Sequence, residues 1–451
     1  MKKILISIAV LLIAASSFAM EAPDVKVNGG VKMRGYSLDN FLDFNSSSDG
    51  DNWSVFRIQS NIAATAAFEK NVTAHVNFSN QTYSEATYKS NNFNDTDYND
   101  TDNSALWMDN QSGKVFVDQA WIEVKKFLDT PINMKFGRQY LMYGGGFVLF
   151  TGQSQYASTA MYFDGVKLTW AVKDKMDIDL LYFKDQENNR ADAVDDDMTM
   201  IGLYVTAKLL PGQQELYVLH KEDQDQKGAA PPEKNFYLIG ARVSNKMSFG
   251  LDYALEGGYE TGKYDDRNQI DQAAYALKAD IGYTLKVKTD PRIFAGYVYL
   301  SGDGTPGDDT NNSWDSFYGG WPIYGDMLAW KYINVGTANS LSNPYPGYTV
   351  GGRIGGEVIY SNLTMGTVGV GFAPRSDVSV KLSGSMLEFI DVNPAVTDSE
   401  EFGNYYQLDA KYNYTDALSF AMYAAMIDPG DAFGPDTENA YEFFWETSLK
   451  F

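Results

Sequence analysis

The chain of 451 residues has no cysteine, only 14 prolines and two histidines, and beyond residue 19 it has no apolar run long enough for a membrane-spanning helix. Each shortage removes a class of protein. Without cysteine there is no disulfide scaffold, thiolate metal site, cysteine nucleophile or thioether-attached haem. Basic residues are the minority, 36 against 59 acidic, and the formal net charge of −23 excludes a phosphate-binding surface made by bulk positive charge, so no nucleic-acid partner is expected. His75 and His220 lie far apart in sequence, and nothing near either supplies a nucleophile, a base and an orienting group together. No enzyme is expected. What the chain does have is 31 Tyr, 26 Phe, 8 Trp and 40 Gly, a load that suits a large sheet.

The N-terminus predicts export. Lys2 and Lys3 precede an apolar run from Ile4 to Ala15, and Ser17-Phe18-Ala19 offers the small residues that a signal peptidase reads. Roughly 20 apolar residues are needed to cross a bilayer, so the shorter run reads as a cleaved leader over 1–19. Residues 20–451 are then one mature domain, two charges more acidic than the full chain.

From Val25 onward the pattern has a period of two, the strand signal. Val25, Val27, Val31 and Met33 share one parity; Lys26, Asn28, Lys32 and Arg34 hold the other. Phe56, Ile58 and Ile62 oppose Arg57, Gln59 and Asn61 in the same way. Eighteen such segments begin near Val25, Ser54, Val72, Lys114, Ile132, Met161, Met176, Met198, Gln214, Lys234, Ser248, Gln272, Pro291, Leu363, Val378, Asn404, Leu418 and Ala440. After the first, their connections are short and long by turns. Tight links such as Glu69-Lys70-Asn71 and Thr415-Asp416-Ala417 alternate with polar stretches such as 91–103, 185–197 and 302–348. A soluble sandwich has no reason to collect its long loops at one end. An all-β transmembrane antiparallel barrel of about 18 strands does, with short periplasmic turns and long extracellular loops. The expected location is the outer membrane of a Gram-negative bacterium, in contact with lipid and lipopolysaccharide.

A barrel of this size leaves a lumen that wall side chains alone do not fill. The polar parity assigns to it Lys26, Lys32, Arg34, Arg57, Gln59, Gln139, Arg242, Asp252, Glu256, Lys278, Asp280, Asp409 and Lys411. Arg138 joins them if a bulge at Gly137 turns it inward, since simple alternation from Ile132, Met134 and Phe136 would point it at lipid, at about 2–4 kcal/mol in mid-membrane. Two stretches are candidates to narrow the path. One is 142–160, with Tyr143, Gly144, Gly145, Gly146 and Phe147 as a constriction loop; the other is 302–362, with Trp314, Phe317 and Tyr318 among its aromatics. Either folds inward or packs as an external cap. Asp95, Asp97, Asp100 and Asp102 offer oxygen ligands for a loop Ca²⁺ or Mg²⁺, although solvated loops give the same composition. No other cofactor is expected.

Three stretches carry a family resemblance. Asp118-Gln119-Ala120-Trp121-Ile122-Glu123, followed by Phe136-Gly137-Arg138-Gln139-Tyr140 and Tyr143-Gly144, resembles a hairpin motif of the alginate-export family of outer-membrane β-barrel porins. Tyr297 to Asp303, followed by Asp315-Ser316-Phe317-Tyr318 and Gly325-Asp326, is similar to that family's later signature. The resemblance implies an eighteen-stranded monomeric barrel. The family's exporter lines its pore with arginines for an anionic polymer, whereas this chain has nine arginines in all and places Asp252, Glu256 and Asp409 on the same face. The terminal Phe451, on a strand alternating Tyr441, Phe443 and Trp445 with Glu442 and Glu446, resembles the signal read by the barrel-assembly machinery.

The function expected is passive diffusion of ions and small hydrophilic solutes, with mild cation selectivity from the acidic loops. Alternatives are a sheath for an export or electron-transfer conduit, polysaccharide export included, and an adhesive surface protein.

Overall fold

The computed structural model describes residues 23–40, 44, 53–84, 115–150, 162–173, 175–186, 198–223, 232–305, 307–319, 325–328, 353–354, 357–358, 361–392, 394, 397–435 and 437–451. The expected leader over 1–19, the 142–160 stretch beyond Phe150, most of the 302–362 stretch beyond Gly319 and the acidic run from Asp95 to Asp102 lie outside them.

Eighteen strands form the wall: β1 (Asp24–Asp39), β2 (Trp53–Ala67), β3 (Val72–Tyr83), β4 (Val115–Val124), β5 (Ile132–Gln139), β6 (Phe163–Val172), β7 (Met176–Gln186), β8 (Met198–Ala207), β9 (Gln213–Asp223), β10 (Lys234–Lys246), β11 (Leu251–Asp265), β12 (Ile270–Thr284), β13 (Arg292–Leu300), β14 (Leu363–Arg375), β15 (Val378–Phe389), β16 (Glu401–Asn413), β17 (Leu418–Pro429) and β18 (Ala440–Lys450). Each pairs antiparallel with the next, and β18 returns to β1 over Gly30↔Lys450 to Asp39↔Tyr441, which closes the barrel. Closure leaves no open edge, the condition under which a sheet can sit in lipid. Every expected strand start falls within three residues of an observed one.

The alternation sorts the residues as the sequence implies. Val27 is 61% exposed on the outer face, while Arg34, on the opposite parity of β1, is 0% exposed. On β18, Tyr441, Phe443, Trp445 and Leu449 face out and Glu442, Phe444, Glu446 and Ser448 are buried inside. Phe451 extends this ladder, its N–H and C=O both bonded to Gly29 across the closure seam.

Two features depart from expectation. The β11–β12 connection is only Asp266 to Gln269, although it lies at the end that carries the long loops. These two strands run 15 residues each. The tip of β12 gives Asp271 and Gln272 as a parallel edge to the short strand Thr310–Asn311.

The second departure corrects Arg138. Neither neighbour of β5 shows a register shift at Gly137; Gly137 opposes Trp121 and Gly165, and Arg138 opposes Ala120 and Asp164. Arg138 is therefore on the outward parity with Phe136, while Gln139 is fully buried inside. Its charge is met at the external end of the strand. Nε and Nη2 donate to the two carboxylate oxygens of Asp164 at 2.8 and 2.7 Å, Nη1 donates to the Val117 carbonyl, and the guanidinium stacks over Tyr162 at 3.8 Å. A bidentate pair near the membrane surface removes the reason for the inward bulge.

Candidate functional site

Tyr143 and residues 146–150 of the first stretch and residues 314–319 of the second are buried inside the wall. Residues 140–150 leave β5 and turn back across the inner faces of β6 to β11; residues 301–319 leave β13 and meet them. Val148 C=O accepts from the Tyr318 N–H at 3.0 Å, and Phe150 N–H donates to Tyr318 C=O at 3.1 Å, a parallel bridge centred on Leu149 and Tyr318. Phe147 stacks on Trp314 with centroids 5.9 Å apart, and Tyr318 meets Phe163 of β6 edge to face at 5.2 Å. Phe147, Val148, Leu149, Trp314, Phe317 and Tyr318 are buried, packed with inward residues such as Leu219, Phe236 and Leu238. The composition of both stretches is explained by this placement. Their aromatics form a core with the wall.

At Gly319 the two segments approach closely: a Cβ there would collide with the carbonyl oxygen of Phe147. A backbone oxygen cannot swing aside, so Gly319→Ala should part the segments and raise open-channel noise in planar-bilayer recordings. Traces identical to the native protein would count against a zipped pair.

The tip of the first segment docks on a tyrosine ladder. Tyr143 stacks on Tyr204 at 4.1 Å and Tyr204 on Tyr217 at 5.2 Å. Tyr143 Oη donates to Asp179 at 2.5 Å, Tyr204 to Glu215 at 2.9 Å and Tyr217 to Glu256 at 3.3 Å. Arg242 answers the two glutamates, at 3.3 Å from Glu215 and 3.6 Å from Glu256. Burial, and then the Asp179 carboxylate, push the Tyr143 hydroxyl well above its ordinary pKa, so it stays a donor. Gly144 has φ +57 directly beside Arg242, a left-handed position that glycine takes without strain.

The second segment is held by charge. Asp315 accepts from Lys234 Nζ at 2.5 Å and from Lys221 Nζ at 3.4 Å, and its own N–H donates to Glu260 Oε2 at 3.0 Å. Gln272 donates to the same Glu260 oxygen at 2.7 Å and to the Ser313 carbonyl at 3.0 Å. Burial alone would raise the Asp315 carboxyl, but Lys221 and Lys234 outweigh it and hold the group well below the usual carboxylate range. Sequence reasoning passed over Lys221, Lys234 and Glu260. Their inward parity with Leu219, Phe236 and Gly258 was readable; their partner Asp315, 94, 81 and 55 residues away in sequence, was not.

Most of the remaining assigned charges stand in pairs on the inner parity. Arg292, another residue that sequence reasoning passed over, clamps Asp252 with contacts of 2.6 and 2.9 Å; Lys278 contacts Asp280; Lys381 stands opposite Asp409 in the β15–β16 register, with Lys411 two residues on. Arg34 pairs with Glu446 and lies over Phe444 at 4.4 Å, Lys32 stands 3.7 Å from Glu446, and Arg57 lies over Tyr36 at 4.8 Å. Gln59 is half-buried and Lys26 exposed near the turn end. Toward the periplasmic turns the lumen is open. One cavity of 620 Å³ is lined by Arg292, Phe294, Lys381, Asp409 and Lys411, and another of 470 Å³ by Lys208, Arg242, Lys246 and Asp252.

The histidines lie on opposite faces of the wall. His75 faces inward, bonded to Thr65 at 2.8 Å and stacked on Trp121, while His220 shares the outward parity with Tyr237 and bonds Asn235 at 2.8 Å. They cannot act on one substrate.

A closed antiparallel wall with an apolar outer band and a polar, partly filled interior defines an outer-membrane channel of the porin kind. Residues 43–446 match the family model for alginate export, and the chain belongs to that family. Its fold is shared with the crystal structures of Pseudomonas aeruginosa OccK11 (TM-score 0.55, 9% identity, 94% of this chain and 96% of that one) and of the outer membrane protein OprD from the same organism (0.54, 11%, 97% and 96%). Acinetobacter baumannii OccAB3 is similar as well (0.57, 8%, 94% and 99%). No curated protein matches the chain in sequence.

Proposed function

We propose that the barrel is a passive channel for ions and small hydrophilic solutes, whose narrow section is set by residues 140–150 and 301–319 and whose wall is lined by the inward residues named above. One observation carries this reading: two segments of the chain are packed on the inner face of a closed wall, above cavities toward the turns whose lining mixes charged and apolar side chains. Single-channel conductance of the refolded protein tests it. Discrete, salt-dependent openings are expected, and a barrel that never conducts would overturn it.

Selectivity belongs to the same proposal. Arg242, Arg292, Lys278 and Lys381 each face a carboxylate. The wall is thus close to neutral as a whole, and the net charge of −23 sets the sign. Mild cation preference follows, weakening as salt screens the field. Reversal potentials under a salt gradient check this, and clear anion preference would refute it.

Family membership supports a second reading, export of a polysaccharide. The near-balanced wall speaks against a polyanion such as alginate. Co-purification of a periplasmic partner with a non-conducting barrel would favour that reading, or an electron-transfer sheath, over the open pore. We also propose that Phe451 is read by the barrel-assembly machinery; deleting it should lower the yield of folded protein in the outer membrane.

A further inference from the structure

Five neighbouring turns, 125–131, 173–175, 208–212, 247–250 and 285–291, form one arc of the periplasmic rim, from the β4–β5 hairpin to the β12–β13 hairpin. Main-chain contacts hold them side by side. Ala171 N–H donates to the Pro131 carbonyl at 2.9 Å, Lys208 N–H to the Lys175 carbonyl at 2.8 Å and Thr284 N–H to the Gly250 carbonyl at 2.9 Å. Gly212 closes the remaining gap, since a Cβ there would stand 2.2 Å from the Ser244 carbonyl oxygen.

The arc is basic in an acidic chain. With Lys246 at the foot of β10, it carries eight basic side chains against three acidic ones, whereas the whole chain has 36 against 59. The other three hairpin turns, 68–71, 374–377 and 414–417, carry two against three, so the excess belongs to this arc alone. Among the described residues Lys125 stands 3.5 Å from Glu123, and the other seven cations of the arc make no ion pair.

Apolar side chains stand bare between these lysines. Leu128 is 78% exposed, Leu209 67% and Leu210 68%, and Phe249, Leu285 and Val287 are exposed as well. Several of them continue the lipid-facing band. Leu209 keeps the outward parity of Ile201 and Leu203 on β8, Phe249 that of Leu255 on β11, and Leu285 and Val287 that of Ile281 and Tyr283 on β12. Aliphatic groups that carry the band past the strand ends, with ammonium groups beside them, match the depth at which acyl chains give way to phosphates. A docked protein could supply acidic groups, but it gives no reason for the apolar band to run on from the membrane face.

We propose that this arc binds the phosphates of anionic phospholipids in the periplasmic leaflet. Lys126, Lys173, Lys175, Lys286 and Lys288 supply the charge, and the bare leucines, Phe249 and Val287 meet the acyl chains. A zwitterionic headgroup has no net charge to attract, so phosphatidylglycerol is preferred over phosphatidylcholine. Lys208 and Lys246 also line the 470 Å³ cavity at the mouth, and the test therefore leaves them in place.

The experiment is electron paramagnetic resonance of trace spin-labelled phosphatidylglycerol or phosphatidylcholine in phosphatidylcholine vesicles that hold the refolded full-length barrel. The native protein should immobilise the phosphatidylglycerol label severalfold more strongly. That difference should fall toward parity in 1 M NaCl, where the Debye length is about 3 Å. A variant combining Lys126→Gln, Lys173→Gln, Lys175→Gln, Lys286→Gln and Lys288→Gln should lose most of the preference, while Lys70→Gln with Arg375→Gln, on the other turns, should keep it. Heat-modifiability on gels confirms that each variant is folded, and the salt series on the native protein needs no variant. Equal immobilisation of the two labels by the native protein, or a preference that ignores salt or survives the five substitutions, would overturn the proposal. If those substitutions abolish binding of soluble poly-glutamate and leave the lipid preference intact, the arc belongs to an acidic protein partner instead.

Discussion

Replacing the stretch from Tyr143 to Phe150 by a short Gly-Ser linker is expected to raise single-channel conductance several-fold while the barrel still folds. The wall owes nothing to this stretch: its eighteen ladders, including the β18–β1 seam, involve only strand residues. What the stretch supplies is filling. Phe147, Val148 and Leu149 are buried between the wall and Trp314, Phe317 and Tyr318. Their removal takes away both the plug atoms and the bridge that holds Tyr318, so the second segment loses a partner as well. The cost falls on the inner faces of Tyr204, Leu219 and Leu238, which would meet lumen water at about 25 cal/mol per Å² of apolar surface. A lowered thermal midpoint should therefore accompany the larger conductance. Planar-bilayer recording gives the first and heat-modifiability on gels confirms folding. A shortened protein with native conductance would show that the narrow section lies elsewhere.

How much of this was legible depends on what enforced each residue. Strand positions were, because lipid on one side and water on the other impose a period of two on every spanning segment. The misses have local causes. Leu251 begins β11 three residues after the expected Ser248, because Met247 to Gly250 form a turn closed by the Met247 N–H on Leu251 C=O, and the exposed Phe249 within it mimics the outward parity. β16 begins at Glu401, three residues before the expected Asn404, where a register shift between Leu387 and Glu388 sits beside Gly403 at φ +128. Arg138 was judged as a bare cation in mid-membrane. Its partner Asp164 stands on the next strand, beyond a long connection, and cross-strand neighbours are not written in a local pattern. The same limit hid the lumen latch. Lys221 and Lys234 could be placed on the inner face by parity, but only the folded path of 301–319 brings Asp315 between them.

That latch gives the second large effect. Asp315→Ala should free the 301–319 segment from the wall, seen as faster cleavage by added protease and as flickering between conductance levels. The substitution strips two buried ammonium groups of the carboxylate they share, and breaking a buried pair from one side typically costs about 3–5 kcal/mol. It also removes the acceptor for the Phe317 N–H at 2.9 Å, next to the Leu149–Tyr318 bridge, so the loosening reaches the first segment. Lys221→Met with Lys234→Met in the Asp315→Leu background should recover much of the loss, because replacing a buried ionic cluster by apolar groups of similar volume is often close to neutral. The pH dependence has a fixed sign. Asp315 is held below the ordinary carboxylate value by its lysines, so its contribution is complete above about pH 4, near the unfolded value, and is lost only as pH falls through the depressed folded value. Native channels should therefore keep the latch from neutral pH down to mildly acidic conditions and loosen only in stronger acid, while Asp315→Ala channels flicker throughout. Native flicker that sets in as pH rises from acid toward neutral would mean that another group holds the segment.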